Sequence, residues 1–215
     1  MSTYLIETPQ AESFMELAST NTGSAAFLGD PEQFEAGAGP DIANASIALR
    51  DGVAKVAALK NDPTRTEVQR HAAGEIVAER TVKALEKSKA AIESRMEYLS
   101  QAGQEEAAAV FDLSPSRRFV HEKILEHFVG LASKAEGLEP MRQIIRTDGE
   151  AAAVFFNTKP YLLNMNAENF HKIRYEAIEQ YAPKAWEKMN AVVKLIELPA
   201  KYDKAINSVR TSFYN

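Results

Sequence analysis

The chain has 215 residues, of which 45% are hydrophobic and 26% are charged, and its formal net charge is −5. This size and composition are enough to bury a core in one or two domains. The absence of cysteine excludes disulfides, thiolate metal ligands and cysteine nucleophiles. No apolar run approaches the ~20 residues of a membrane-spanning helix, and the first ten residues lack the pattern of a secretory signal. We therefore expect a soluble protein that is made in the cytoplasm without a signal peptide.

The charges are unevenly spread along the chain. Residues 1–62 carry three basic and nine acidic side chains, whereas residues 159–215 carry nine basic and six acidic ones. These opposite balances favour attraction between the two ends, within one chain or between neighbouring copies. A solvated acidic surface is the alternative interpretation. No part of the chain is basic enough to predict general nucleic-acid binding.

Residues 1–40 are predicted to form an extended N-terminal arm, because turn-forming Gly, Pro, Asn, Ser and Thr interrupt the stretch. Such an arm can dock on a neighbouring protein, or it can cover the core of its own chain. A short helix over Glu7–Ala18 is also possible, since Phe14 and Leu17 would share one of its faces. The candidate interaction residues of the arm are its three spaced aromatic residues, Phe14, Phe27 and Phe34.

A predicted helix over residues 41–60 is followed, after a tight turn, by a helix over residues 63–112 that is the main feature of the chain. Asp62 offers an N-cap with proline at the first helical position, and Thr64 with Glu67 offers a capping box. Strong helix formers fill the stretch that follows. At 1.5 Å per residue the helix would be roughly 70 Å long. Together the two helices predict an αα-hairpin.

Apolar residues recur along the long helix at three- and four-residue spacing, which predicts a continuous apolar stripe. A helix of this length has more side surface than the remaining chain easily covers, so part of the stripe is expected to contact another protein. Gly74 and Gly103 are its weak points, and each marks either a bend or a packing contact. The candidate interaction residues on the stripe are Leu85, Ile92, Met96 and Leu99.

A third helix is predicted from Pro115 to Glu136, and it completes a middle region over residues 41–136. The apolar run Ala151–Phe156 fits either a buried helical turn or a short strand. The fold class is therefore all-α, an elongated helical bundle around one long central helix with an extended N-terminal arm. The C-terminal region, residues 137–215, is rich in aromatic residues and is predicted to contain helices over 167–181, 183–197 and 200–213.

No pattern in the sequence predicts a catalytic, cofactor-binding or metal site. His121, Glu122 and His127 resemble part of a zinc-protease helix, but that motif needs the second histidine four residues after the first. Position 125 is leucine, so these side chains are predicted simply to face solvent. No phosphate-binding glycine loop and no nucleophile elbow is present. We expect a protein without a cofactor or a metal ion.

The long helix, the aromatic residues of the arm and the opposed charges of the two ends are typical of a subunit that packs into a larger assembly. In these general features the whole chain resembles the small helical virion proteins of tailed bacteriophages, such as head–tail adaptors and internal or ejection proteins. The resemblance implies a non-enzymatic structural subunit, incorporated in a virion, whose partners are copies of itself and other structural proteins. It implies no particular functional residue. The alternatives are a helical adaptor or regulatory protein that binds a partner helix in a groove, and an enzyme whose site is made of scattered residues.

Overall fold

A computed structural model describes residues 4–34, 37–134 and 136–214 of the chain. Across these ranges the secondary structure is helical and contains no strand, which confirms the all-α prediction. Short 3-10 helices occur at Pro31–Phe34, Pro115–Arg117 and Pro160–Leu163. The α-helices, in chain order, are α1 (Pro9–Ala18), α2 (Asn21–Leu28), α3 (Gly39–Lys60), α4 (Glu67–Val110), α5 (Arg118–Ala132), α6 (Leu138–Thr147), α7 (Gly149–Asn157), α8 (Ala167–Tyr181), α9 (Pro183–Leu195) and α10 (Leu198–Ser212).

The chain divides into two units. Unit 1 comprises Met1–Glu97 and Lys194–Asn215, and unit 2 comprises Tyr98–Val193. This division differs from the predicted regions 1–40, 41–136 and 137–215. The difference arises because the boundary falls within α4, and because α10 packs with α1 and α2 at the other end of the sequence.

Helices α3 and α4 form an antiparallel hairpin in unit 1, as the sequence predicts. The Asp41 carbonyl, near the start of α3, accepts a hydrogen bond from the Ser88 hydroxyl at 3.0 Å. At the end of α3, the Lys60 carbonyl accepts a hydrogen bond from the Arg70 guanidinium at 2.8 Å. The two contacts pair the start of α3 with the middle of α4 and the end of α3 with the first turn of α4, which defines the antiparallel arrangement.

The core of unit 1 is formed by the apolar faces of α1, α2, α3, α4 and α10. Two ion pairs between α4 and α10 border it: Lys89 with Asp203 at 2.7 Å, and Arg210 with Glu86 at 3.2 Å. Exposed pairs of this kind add little stability, so burial of apolar surface is the main stabilising term. The largest fully buried side chains of unit 1 are Met15, Leu28, Ile42, Leu49, Leu85, Ile92, Tyr202 and Phe213.

Helix α4 begins at Glu67 rather than at residue 63. Asp62 does not cap it, because its carboxylate accepts hydrogen bonds from the backbone N–H and the hydroxyl of Thr64, at 2.9 and 2.6 Å, and holds a turn. The capping box is formed by Thr66 and Gln69 instead. The Gln69 side-chain oxygen accepts from the Thr66 backbone N–H at 2.9 Å, and the Thr66 hydroxyl accepts from the Gln69 backbone N–H at 3.3 Å.

Helix α4 continues through Gly74 and Gly103, so neither glycine ends it. A Cβ atom at residue 74 would lie 2.6 Å from the Phe213 carbonyl oxygen. At residue 103 it would lie 3.3 Å from the Ala185 carbonyl oxygen and 3.2 Å from Cγ of Met189. The alternatives predicted for each glycine were a bend and a packing contact. Both glycines are packing contacts, at which a neighbouring segment approaches the backbone of α4.

Most of the arm that the structure describes is helical, which corrects the expectation of an extended arm over residues 1–40, and α1 (Pro9–Ala18) confirms the alternative of a short helix over Glu7–Ala18. Thr8 caps α1 by accepting a hydrogen bond from the Ala11 backbone N–H at 3.3 Å, and Pro9 occupies the first helical position. Thr20 caps α2 by accepting from the Gly23 backbone N–H at 2.9 Å. Both helices pack against α3 and α10. Residues 20–24, which suggested a loop, are therefore the N-cap and the first turn of α2.

Unit 2 has its own core, centred on α7. The apolar run Ala151–Phe156 is buried within this helix, so of the two predicted alternatives the helix is confirmed. Asp148 caps α7, and its carboxylate accepts hydrogen bonds from two backbone N–H groups of the first turn at 2.8 and 3.1 Å. Phe155 stacks on Phe170 at 4.9 Å between ring centroids and meets Phe128 edge-on at 6.0 Å. These rings join α5, α7 and α8.

Candidate protein-interaction site

Helix α1 presents one face to a shallow pocket on unit 1. Its residues there follow helical spacing, since residues 9, 13 and 17 are four apart and residues 10, 14 and 17 are four and three apart. Side chains from α2 and α10 complete the pocket, which has a volume of about 440 Å³. We call this surface the α1–α2 pocket. Its lining residues are Pro9, Gln10, Ser13, Phe14, Leu17, Phe27 and Ser208.

The turn between α1 and α2 fixes the shape of this pocket. The Thr20 hydroxyl donates a hydrogen bond to the Leu17 carbonyl at 2.9 Å, while its oxygen caps α2. A Cβ atom at residue 23 would lie 1.9 Å from the same carbonyl oxygen, so only glycine fits there. Gly23 thus lets the first turn of α2 approach the end of α1. The approach brings Phe27 of α2 beside Phe14 of α1.

Two aromatic rings form the floor of the α1–α2 pocket. The ring centroids of Phe14 and Phe27 are 5.1 Å apart and the planes are inclined by 60°, an edge-to-face geometry. Phe14 is only 6% exposed, whereas Leu17 at the rim is 52% exposed. The floor is therefore held by the packing of unit 1, and the rim offers an apolar side chain to solvent.

The pocket lining is uncharged, and acidic side chains lie elsewhere on α1. The seven lining residues carry no ionisable side chain. On the same helix, Glu12 and Glu16 add to the effect of burial in raising the pKa of the Tyr4 hydroxyl. The polar groups at the rim are the Ser13 and Ser208 hydroxyls and the Gln10 amide.

The structure distributes the seven predicted interaction residues over several environments. Phe14 and Phe27 meet in the α1–α2 pocket, whereas Phe34 is half-buried and lines a separate pocket of unit 1 beside Lys194 and Lys201. This second pocket has a volume of about 470 Å³.

The predicted stripe on the long helix is mostly internal. Leu85 and Ile92 have no exposed surface, so the expectation that they contact another protein is corrected: both belong to the core of unit 1. Met96 and Leu99 are half-buried. The prediction was wrong because it counted only α3 and α5 as cover for the apolar stripe of α4. In the structure α10 also packs on α4.

Of the three α5 residues predicted to face solvent, Glu122 and His127 are exposed, which confirms the prediction for them, but His121 is not. The His121 side chain is only 13% exposed rather than facing solvent, and its Nε2 lies 3.1 Å from the Glu150 carboxylate. The same carboxylate pairs with Arg117 at 2.8 Å. This cluster links α5 to the start of α7. Within the described residues, no group of three His, Asp or Glu side chains is placed to hold a metal ion.

Sequence reasoning missed part of the α1–α2 pocket. The helical spacing of Phe14 and Leu17 was visible, and it was the signal that could have identified Pro9 and Ser13 as neighbours on the same face. Nothing in the pattern indicated Ser208, which is distant in sequence and reaches the pocket only because α10 packs on α1.

Comparisons with known proteins give no match: no family model fits the sequence, and no curated protein or solved structure is significantly similar. In the part of the chain that the structure describes, no helix has both the length and the apolar character needed to cross a bilayer.

Proposed function

We propose that this protein is a non-enzymatic structural subunit of a larger assembly and that it docks on a second copy of itself through the α1–α2 pocket. The observation that carries the proposal is the combination of a packed aromatic floor with an exposed Leu17 at the rim. A preformed apolar pocket loses little conformational entropy when it binds, so its contacts contribute efficiently to affinity. The resemblance of the sequence to phage virion proteins suggests that this assembly is the virion of a tailed bacteriophage.

The charge distribution supports a second copy as the partner. Six of the seven pocket residues belong to the acidic N-terminal part of the chain, and the seventh, Ser208, belongs to residues 159–215, whose balance is basic. Opposite charges on two surfaces of one molecule favour association between copies, because each copy offers both surfaces. Electrostatic attraction steers the encounter, and burial of the apolar rim then stabilises the complex.

The first prediction tests this surface with Leu17→Asp. Covering the exposed half of this leucine is worth about 1 kcal/mol, and burying an aspartate instead costs more. We expect self-association to weaken roughly tenfold or more, since 1.4 kcal/mol corresponds to a factor of ten. Light scattering after gel filtration, at several protein concentrations and at low and high salt, measures it. Wild-type association should also weaken at high salt.

Leu162→Asp is the matched control, because Leu162 is a leucine of similar exposure, 47%, in unit 2. Circular dichroism and thermal unfolding confirm that both variants remain folded. Equal association of L17D and wild type would reject the α1–α2 pocket as the docking surface. A wild-type protein that stays monomeric at every concentration and salt would reject self-assembly, and a heterologous partner would then have to be sought.

A further inference from the structure

A pocket within unit 2 carries an inference that is independent of the function proposed above. Helix α8 places His171, Arg174, Tyr175 and Ile178 on one face, at the three- and four-residue spacing of a helix. With side chains from α4, α7 and α9 they line a volume of about 430 Å³, which is within the range of small-molecule sites. We call this the Arg174 pocket. Its other lining residues are Gln104, Ala108, Phe156 and Met189.

Arg174 is a half-buried cation without an anion beside it. Its guanidinium carbon lies 4.1 Å from the centroid of the Phe156 ring, and its Nε is buried. In the described part of the chain, that Nε has no hydrogen-bond partner and no carboxylate pairs with the guanidinium. Two other arginines of unit 2, Arg142 and Arg146, both pair with Glu176, at 3.6 and 3.4 Å. The missing counter-ion is therefore a particular property of this pocket and not of arginines in unit 2 generally.

The energetics of such a group favour an external anion. Burial lowers the pKa of the Arg174 guanidinium, which reflects poor solvation of its charge. Arginine nevertheless remains protonated at neutral pH. A cation that has lost part of its hydration gains more from an added counter-ion than a fully hydrated one does, because the local dielectric constant is lower.

The walls of the pocket combine apolar and polar surfaces in fixed positions. Phe156 stacks on Phe111 at 4.5 Å between centroids, and the Tyr175 ring meets Trp186 edge-on at 4.9 Å. Ile178 is almost completely buried. The apolar walls are Phe156, Ile178 and Met189, and the polar groups are the side chains of Gln104, His171 and Tyr175.

We propose that the Arg174 pocket binds a monocarboxylate with an apolar body. The carboxylate pairs with the Arg174 guanidinium, and the body lies against Phe156, Ile178 and Met189. A planar guanidinium matches a carboxylate through two parallel hydrogen bonds. The amide of Gln104 supplies a further donor within the same pocket.

A carboxylate fits this pocket better than a phosphate. A phosphate dianion is usually held by several cationic or backbone donors, and the pocket lining offers a single guanidinium, with Gln104, His171 and Tyr175 as its other polar side chains. A single negative charge balances the single guanidinium, and the apolar walls then favour a ligand that carries a hydrophobic group. The acid is either a free small molecule or the C-terminal carboxylate of a peptide, and the two share this chemistry.

The second prediction concerns binding of phenylacetate to the full-length protein in a buffer without carboxylate or phosphate. The chain has one tryptophan, Trp186, and it contacts Tyr175 of the pocket, so its fluorescence reports occupancy. Calorimetry gives the affinity independently. Phenylacetamide has the same shape without the charge, and we expect it to bind at least tenfold more weakly. N-acetyl-Ala-Phe, which ends in a free carboxylate, distinguishes a peptide C-terminus from a small acid as the preferred source.

Arg174→Met removes the charge and retains much of the side-chain length. We expect it to lower phenylacetate affinity at least tenfold and to leave phenylacetamide affinity unchanged. Arg174→Lys retains the charge but not the two-pronged geometry, so its loss should be intermediate. Arg146→Met is the matched control, since Arg146 is an exposed arginine of unit 2 outside the pocket. It should bind phenylacetate like the wild type.

Equal affinity for the acid and the amide would overturn the proposal, and this comparison needs no variant, so it holds even if R174M fails to fold. Unchanged phenylacetate binding by a folded R174M would overturn it as well. Failure of both phenylacetate and N-acetyl-Ala-Phe to bind would reject the site. Tighter binding of inorganic phosphate than of either carboxylate would reject the class of ligand.

Discussion

At residue 74 the backbone of α4 and the last residues of unit 1 leave no room for a side chain. A Cβ atom there would lie 2.6 Å from the Phe213 carbonyl oxygen and 3.1 Å from a methyl group of Leu5. A backbone oxygen cannot rotate away as the end of a flexible side chain can. Gly130 in α5 is the opposite case, because its Cβ would meet no atom within 4 Å. Packing alone distinguishes these two helical glycines.

The third prediction follows from this contrast. Alanine is the better helix former by roughly 0.5–1 kcal/mol, so Gly130→Ala should stabilise the protein by up to that amount. Gly74→Ala should instead lower the free energy of unfolding by roughly 1–3 kcal/mol, since the added methyl group overpacks the contact. Urea denaturation followed by circular dichroism measures both. An unchanged or higher stability of G74A would show that the segment around Phe213 can move away.

At the scale of single elements, the sequence predicted best where the start and stop signals are local. The predicted bounds of α8 agree with the structure, because Asn166 caps its start and a proline follows its end. The start of α4 was misplaced, since two threonines fit the capping-box spacing and only the folded chain distinguishes them. Of the two helices of the arm, α1 was predicted only as an alternative and α2 was missed, because their apolar faces are short and become stable only by packing on α3 and α10.

The candidate site was likewise predictable only where its residues lie on one helix. One face of α1 could be read from the spacing of Phe14 and Leu17, because that spacing is a property of one helix. The placement of Phe27 beside Phe14 depends on the tight turn at Gly23, and that of Ser208 depends on a contact between distant parts of the chain. The burial of Leu85 depends on tertiary contacts of the same kind. Local patterns do not carry such information.

The fourth prediction distinguishes the two capping boxes at the start of α4. Thr66→Ala removes the hydroxyl that accepts from the Gln69 backbone N–H, and we expect a loss of about 1 kcal/mol of unfolding free energy. Thr64→Ala is the control, and its loss should stay within about 0.5 kcal/mol because it affects an exposed turn. Thermal and urea unfolding give both values. A larger loss for T64A than for T66A would show that Thr64, as predicted from the sequence, forms the capping box.

At the scale of the whole molecule, the two units hold separate apolar cores. In unit 1, a Cβ atom at residue 52 would lie 3.0 Å from the Phe213 ring, so this fully buried phenylalanine packs on the backbone of α3. In unit 2, Phe155 is equally buried and stacks between α5 and α8. The two side chains are chemically identical, so their removal compares the cores directly.

The fifth prediction uses Phe213→Ala and Phe155→Ala. Each should cost roughly 3–5 kcal/mol, because a large buried ring is lost and a cavity remains. Amide hydrogen exchange should accelerate mainly within α1, α3 and α10 for F213A, and mainly within α5, α7 and α8 for F155A. Each variant is the control for the other. Equal acceleration in both units would show that they unfold as one cooperative body.

The order in which the ribosome makes these segments leaves unit 1 incomplete for much of synthesis. The residues of unit 2 form a continuous stretch, whereas α10, with Tyr202 and Phe213, follows all of them. At roughly 5–20 residues per second, the segment of unit 2 takes about 5–20 s to be made. Throughout that interval the apolar faces of α1 and α2 lack the helix that covers them. A nascent chain that pauses before α10 therefore exposes an aggregation-prone apolar surface on α1 and α2, and it is the stage at which a chaperone would matter most.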